Sequence, residues 1–172
     1  MNKFDPFLIR IFGPNDAVIG AGFLVSEHYA LTCAHVVADA LGIDRTTPVC
    51  PAGEVRFDFP GLDRGKLLQA KVVHWVPLRT QAGQPDDNED IALLAMPAGL
   101  PARCQPAQLV QHDVAAGTAF HTIGFPTSAE GSPAIEPAEG HTKAAISGTS
   151  VTLEADKSFG RFVAQGFSGA PV

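Results

Sequence analysis

GFSGAPV, Gly166 to Val172, ends the sequence. It sets Ser168 between glycines, where the backbone can turn tightly and aim its N–H groups at one point. A serine hydroxyl is a poor nucleophile until a base removes its proton. The stretch therefore asks for a histidine and a carboxylate upstream. Two short segments supply them. LTCAHVV, Leu31 to Val37, sets His35 just after a buried apolar run, and DIALL, Asp90 to Leu94, sets Asp90 at the mouth of another. Taken singly, His35 reads as a structural histidine, Asp90 as a turn or cap residue and Ser168 as a turn serine.

The segments around these residues read as short strands. FLIRIF (Phe7 to Phe12) runs into the turn signal Gly-Pro-Asn-Asp, and AVIGAGFLV (Ala17 to Val25) is a strand with glycines where a neighbouring backbone can come close. Tyr29 to Val37 begins as a strand, with a helical turn expected at Ala38 to Leu41. EVRFDF (Glu54 to Phe59), LLQAKVVHWV (Leu67 to Val76) and the run Asp90 to Met96 follow. The proline-rich Met96 to Leu109 reads as a connection between two halves. Beyond it, Thr118 to Pro126 predicts a strand and a long loop reaches about Gly140. Two more strands are expected, KAAISGTSVTLEA, with a break at Gly148, and RFVAQG. Many short strands at regular spacing, with no tandem repeat and no long amphipathic helix, predict an all-β barrel or sandwich.

Composition narrows the function classes. The 172 residues suffice for one large domain or two small lobes with a real core. The net charge of −6, with no Lys/Arg run, lacks the basic surface that nucleic-acid binding needs. The acidic stretch QPDDNED (Gln84 to Asp90) reads as a solvated loop, apart from its last residue. The three cysteines, Cys33, Cys50 and Cys104, are odd in number and form no CxxC, which argues against a disulfide framework and a zinc site. Cys33 reads as a small buried apolar side chain, and the Cys33/His35 pair has no further ligand nearby in sequence. His28, His74, His112, His121 and His141 show no metal-ligand spacing. The start lacks a signal-peptide pattern and no apolar stretch reaches membrane-span length, so a cytoplasmic protein with free thiols is expected, with neither membrane nor nucleic-acid partners.

Taken together, the order His35, Asp90, Ser168 with GAGFLV before the histidine segment resembles the trypsin-like (chymotrypsin-fold) serine peptidases, in a version closer to intracellular bacterial members. That order separates this template from the subtilisin and α/β-hydrolase ones. The resemblance implies an all-β, chymotrypsin-like double β-barrel: residues 1–100 as a first barrel carrying His35 and Asp90, and 101–172 as a second carrying Ser168. It implies a serine endopeptidase acting through an acyl-enzyme. Ser168 would be the nucleophile, His35 the base and then acid, Asp90 its orienter, and the N–H groups of Gly166 and Ser168 the oxyanion hole. No cofactor and no metal are implied, and the partner is a protein or peptide substrate.

The sequence departs from the family in three places. Phe167 stands where digestive members carry an Asp that pairs with a new N-terminal amine, so activation by N-terminal cleavage is not expected. Phe162, six residues before Ser168, takes the position at the floor of the specificity pocket, and no acid lies between Ser158 and Ser168 to favour Lys or Arg substrates. Family members continue for two more strands after the serine motif. The second barrel is accordingly expected to be incomplete, finished by a C-terminal continuation or a second chain. An alternative reading follows: a catalytically inactive, protease-like module that binds a peptide or partner strand.

Overall fold

The computed structural model describes residues 3–78, 89–110, 114–126, 135–143, 152–160 and 166–172. Six antiparallel strands close into a barrel: β1 (Leu8–Phe12), β2 (Val18–Leu24), β3 (Tyr29–Thr32), β4 (Glu54–Phe59), β5 (Asp63–Val76) and β6 (Ile91–Ala95), in the order β1-β2-β3-β6-β5-β4. Closure leaves no open edge to pair with other chains. A second sheet follows, with β7 (Ala119–Gly124), β8 (Glu136–Thr142) and β9 (Leu153–Gly160) in sequence order. The expected all-β class and barrel architecture are therefore present, with the second barrel partial.

β1 shows how the two parts meet. Side chains alternate faces along a strand, yet all five β1 residues are buried. Ile9 and Ile11 point into the barrel core with Leu24, Val55, Phe57 and Leu94. Leu8 points the other way and packs with Phe4, Ala21, Ile123 and Phe125, so the outer face of the barrel is covered by the strand that opens the second sheet. Arg10 shares that outer face. Its guanidinium makes a two-pronged ion pair with the fully buried Asp58 at 3.0 and 2.5 Å, while the Gly65 N–H donates to the same carboxylate at 2.7 Å. With each charge paired and hydrogen-bonded, the cost of burying them is offset.

Two segments differ from the sequence-based expectation. The strand holding His35 ends at Thr32, and helix α1 (Ala34–Leu41) begins at once, well before the helical turn expected at Ala38. Ala34, Val36, Val37 and Ala38 are buried, and Gly42 ends the helix with φ 67. The helix starts early because its first N–H groups find partners on Asp90, far away in sequence. The second difference is β8, where a loop is expected as far as Gly140. Ala138, Gly140 and Thr142 face inward between polar outward neighbours. Among the described residues, Pro137 pairs only with Ile123 of β7. The expected strand RFVAQG lies outside the described residues except for Gly166, which belongs to a turn, and most of KAAISGTSVTLEA before Leu153 lies outside them too. Among the described residues, no helix is long and apolar enough to cross a membrane.

Candidate active site

Asp90 and helix α1 build one half of the site. An α-helix leaves its first N–H groups without internal partners. Cys33, at the N-cap, offers no side-chain cap. Asp90 does that work from the start of the neighbouring strand β6. Its backbone carbonyl accepts from the Ala34 N–H at 3.2 Å, and its Oδ1 accepts from the His35 N–H at 2.7 Å. Its second oxygen, Oδ2, lies 2.6 Å from His35 Nδ1. The residue adopts a left-handed backbone, φ 67, which Asp tolerates better than most side chains.

Burial pushes the Asp90 carboxyl up, but the hydrogen bonds from the His35 ring and backbone, with a further one from the Cys33 thiol, outweigh it and hold the group below its ordinary value. The carboxylate is therefore ionised near neutral pH and can only accept. That fixes Nδ1 of His35 as the donor and leaves Nε2 as the acceptor, the tautomer a general base requires. Both side chains keep 22% of their surface exposed, so this pair is reachable from solvent.

Ser168 belongs to a turn tied to the same barrel wall. Gly166 (φ 103) and Gly169 (φ 77) flank it in left-handed conformations that favour glycine. The Ser168 carbonyl accepts from the Ala21 N–H at 2.9 Å, and the Ala21 carbonyl accepts from the Thr32 hydroxyl at 2.6 Å. The loop bearing Ser168 and the strand leading to His35 therefore share one anchor on β2. A Cβ at Gly169 would collide with the Ala21 carbonyl and stand 2.5 Å from the Thr32 Oγ1. A Cβ on Gly20 would lie 3.0 Å from the Ser168 carbonyl and 2.9 Å from Val36, the residue after His35. Gly20 thus marks where the serine turn and the histidine helix approach one another.

Phe167 is buried against the second sheet. A Cβ at Gly124 would meet its ring at 2.6 Å, and the Phe125 N–H donates to the Gly166 carbonyl at 2.9 Å. An apolar anchor thus stands where digestive members of the family place an ion pair. At the end of the motif, the Thr122 hydroxyl donates to the Pro171 carbonyl at 2.6 Å. Phe162 lies outside the described residues.

Sequence reasoning missed Cys33 as part of this site. Its sulfur, a His35 ring nitrogen and an Asp90 carboxylate oxygen all lie within 4.8 Å of one another. Burial, then the charge of Asp90, pushes the thiol up to about 12, opposed by a backbone hydrogen bond from Gly169. Its apolar neighbours in sequence gave no sign of this. The only available signal was position, two residues before His35 where the chain turns from strand to helix.

A profile of the trypsin-like peptidase domain matches residues 20–172. No curated protein matches the chain. Among solved structures, neuropsin, a serine protease expressed in the limbic system of mouse brain, superposes with a TM-score of 0.61 at 20% identity, covering 97% of this chain and 76% of that one. Kallikrein-related peptidase 10 gives 0.61 at 18% identity, covering 97% and 75%. An inactive serine-to-alanine mutant of Rv3671c from M. tuberculosis H37Rv gives 0.55 at 22% identity, covering 98% and 72%. At such identities the likeness to these structures is one of fold, and that fold is the chymotrypsin-like double barrel. The family match spans the strand before the histidine, the carboxylate and the serine turn, and this chain belongs to the trypsin-like peptidase domain family.

Proposed function

We propose that the chain is a serine endopeptidase domain, with residues 1–100 and 101–172 as its two lobes. Ser168 attacks the carbonyl of a peptide bond, and His35 Nε2 takes the hydroxyl proton. His35 then gives that proton to the leaving amine, which departs as the acyl-enzyme forms on Ser168. Water, deprotonated by His35 in its turn, hydrolyses the acyl group. Asp90 holds the imidazole and stabilises the imidazolium. The N–H groups of Gly166 and Ser168 bind the oxyanion of the tetrahedral intermediate; losing one such donor typically costs about 2.7–4 kcal/mol of transition-state stabilisation.

The observation that carries this reading is the pair of hydrogen bonds from His35 to the two oxygens of Asp90, at 2.7 Å from the backbone and 2.6 Å from the ring. A capping carboxylate needs only the first. The second is useful to a base that must keep one nitrogen free. The test is a pre-steady-state assay with an activated ester. A burst of product, with the acyl group recovered on the peptide containing Ser168 after acid quench, is expected; the burst should vanish in His35→Ala. A folded chain that gives no burst and still binds extended peptides would favour the inactive binding module instead.

A further inference from the structure

The Cys33–His35 pair lacks a third ligand nearby in sequence, but the fold brings one from residue 90. One thiol, one imidazole and one carboxylate meet, with their ligand atoms within 4.8 Å of one another. Such a mixed sulfur, nitrogen and oxygen set is what zinc accepts and what hard cations such as magnesium or calcium do not. Zinc's bond lengths of about 2.0–2.3 Å place ligand atoms in a tetrahedral shell about 3.3–3.7 Å apart. The 2.6 Å contact between His35 Nδ1 and Asp90 Oδ2 therefore has to open, and wider pairs have to close by roughly an ångström. A cavity of about 270 Å³ has Cys33 and Asp90, though not His35, in its wall, so two of the three ligand residues border open space. The Gly169 backbone hydrogen bond to the sulfur is the kind of outer contact that steadies a metal-bound thiolate.

The geometry points to a zinc-class inhibitory site formed by Cys33, His35 and Asp90, in which a soft or borderline divalent cation takes the same imidazole and carboxylate that serve Ser168. On binding, the thiol proton leaves to solvent and the sulfur–metal bond replaces it; the Nδ1 proton of His35 is lost as that nitrogen takes the metal while Nε2 gains one from solvent, and no electrons are transferred. The fourth position of the shell stays open to water. The binding follows from the three side chains alone. The inhibition rests on the peptidase reading, because an imidazole and carboxylate held by a metal cannot act as base and orienter.

The test uses the reduced, chelator-washed full chain and cobalt(II) as the probe. Cobalt should give a thiolate-to-metal charge-transfer band in the near ultraviolet, displaced by one equivalent of zinc. The band should persist in the Cys50→Ala, Cys104→Ala double variant and disappear in Cys33→Ala, whose folding is checked by its thermal transition. A wild-type chain without the band, or a band that survives in folded Cys33→Ala, overturns the site. Should Cys33→Ala fail to fold, Cys33→Ser replaces it, keeping the size and losing the thiolate. Labelling of Ser168 by a fluorophosphonate is measured in parallel. Labelling that zinc suppresses at the concentration displacing cobalt supports the inhibition, and labelling that zinc-loaded protein retains overturns it. A cobalt band on a chain that never labels leaves the metal site standing and removes the peptidase reading, so the two failures are distinguishable.

Discussion

At the scale of single residues, Asp90 carries the heaviest load. It caps helix α1 and fixes the His35 tautomer through different oxygens. Asp90→Asn keeps the shape but presents an amide that cannot hold the Nδ1 proton in the same way. The expected result is a fall of about 10⁴-fold in kcat with the fold retained, measured on a fluorogenic peptide. The same residue sets an acid limit. Its carboxyl lies below its ordinary value in the folded chain, so folding favours the ionised form. That contribution is fully present above the unfolded-chain carboxylate value of about 3.9 and is lost as pH falls through the lower folded value. Urea midpoints taken from pH 5 down to pH 2 should therefore drop more steeply for the wild type than for Asp90→Asn; equal slopes would contradict this. His35, Asp90 and Ser168 stand out in the sequence as candidates because each sits beside a short apolar or glycine-rich motif. Cys33 could not, since what matters about it is its distance from a residue elsewhere in the chain.

At the scale of elements, the serine turn depends on backbone that only glycine fits. Gly169 combines φ 77 with a Cβ position already filled by the Ala21 carbonyl and the Thr32 hydroxyl. Gly169→Ala should destabilise the chain by more than the roughly 1 kcal/mol usual for a left-handed position, because the turn must also move off β2. A lower denaturation midpoint together with loss of Ser168 acylation is expected; an unchanged midpoint would show that the turn adapts freely. The elements also show what the sequence hides. Strands such as Glu54–Phe59 were legible because alternation is a local signal. The early start of α1 was not, because its cap comes from Asp90, far away in sequence at the head of the neighbouring strand β6. Nor was β8, whose residues EPAEGHT look like a loop and become a strand only by lying between β7 and β9.

At the scale of the whole molecule, the two parts are joined across the outer face of β1. Arg10 pairs with Asp58 beneath it and lies with its guanidinium carbon 4.9 Å from the Phe12 ring centroid and 5.9 Å from that of Phe125. Asp58→Ala leaves the Arg10 charge buried and unpaired, a change that typically costs about 3–5 kcal/mol. Chemical denaturation should read a loss of that size, and a loss under about 1 kcal/mol would mean that the pair is solvated and does not hold β1 to β4. The double-barrel architecture was legible from the order of four motifs. The packing of one part on the other was not, since Leu8, Ala21, Ile123 and Phe125 form no pattern until the chain is folded.

The measurement that bears most directly on the central claim is the intact mass of the folded chain after treatment with a fluorophosphonate. A single adduct on the wild type, absent from Ser168→Ala and from His35→Ala, is the predicted result, because only a serine served by a base and an oxyanion hole reacts. A folded wild-type chain that takes no adduct, or an adduct that persists in Ser168→Ala, would contradict the assignment of Ser168 as nucleophile.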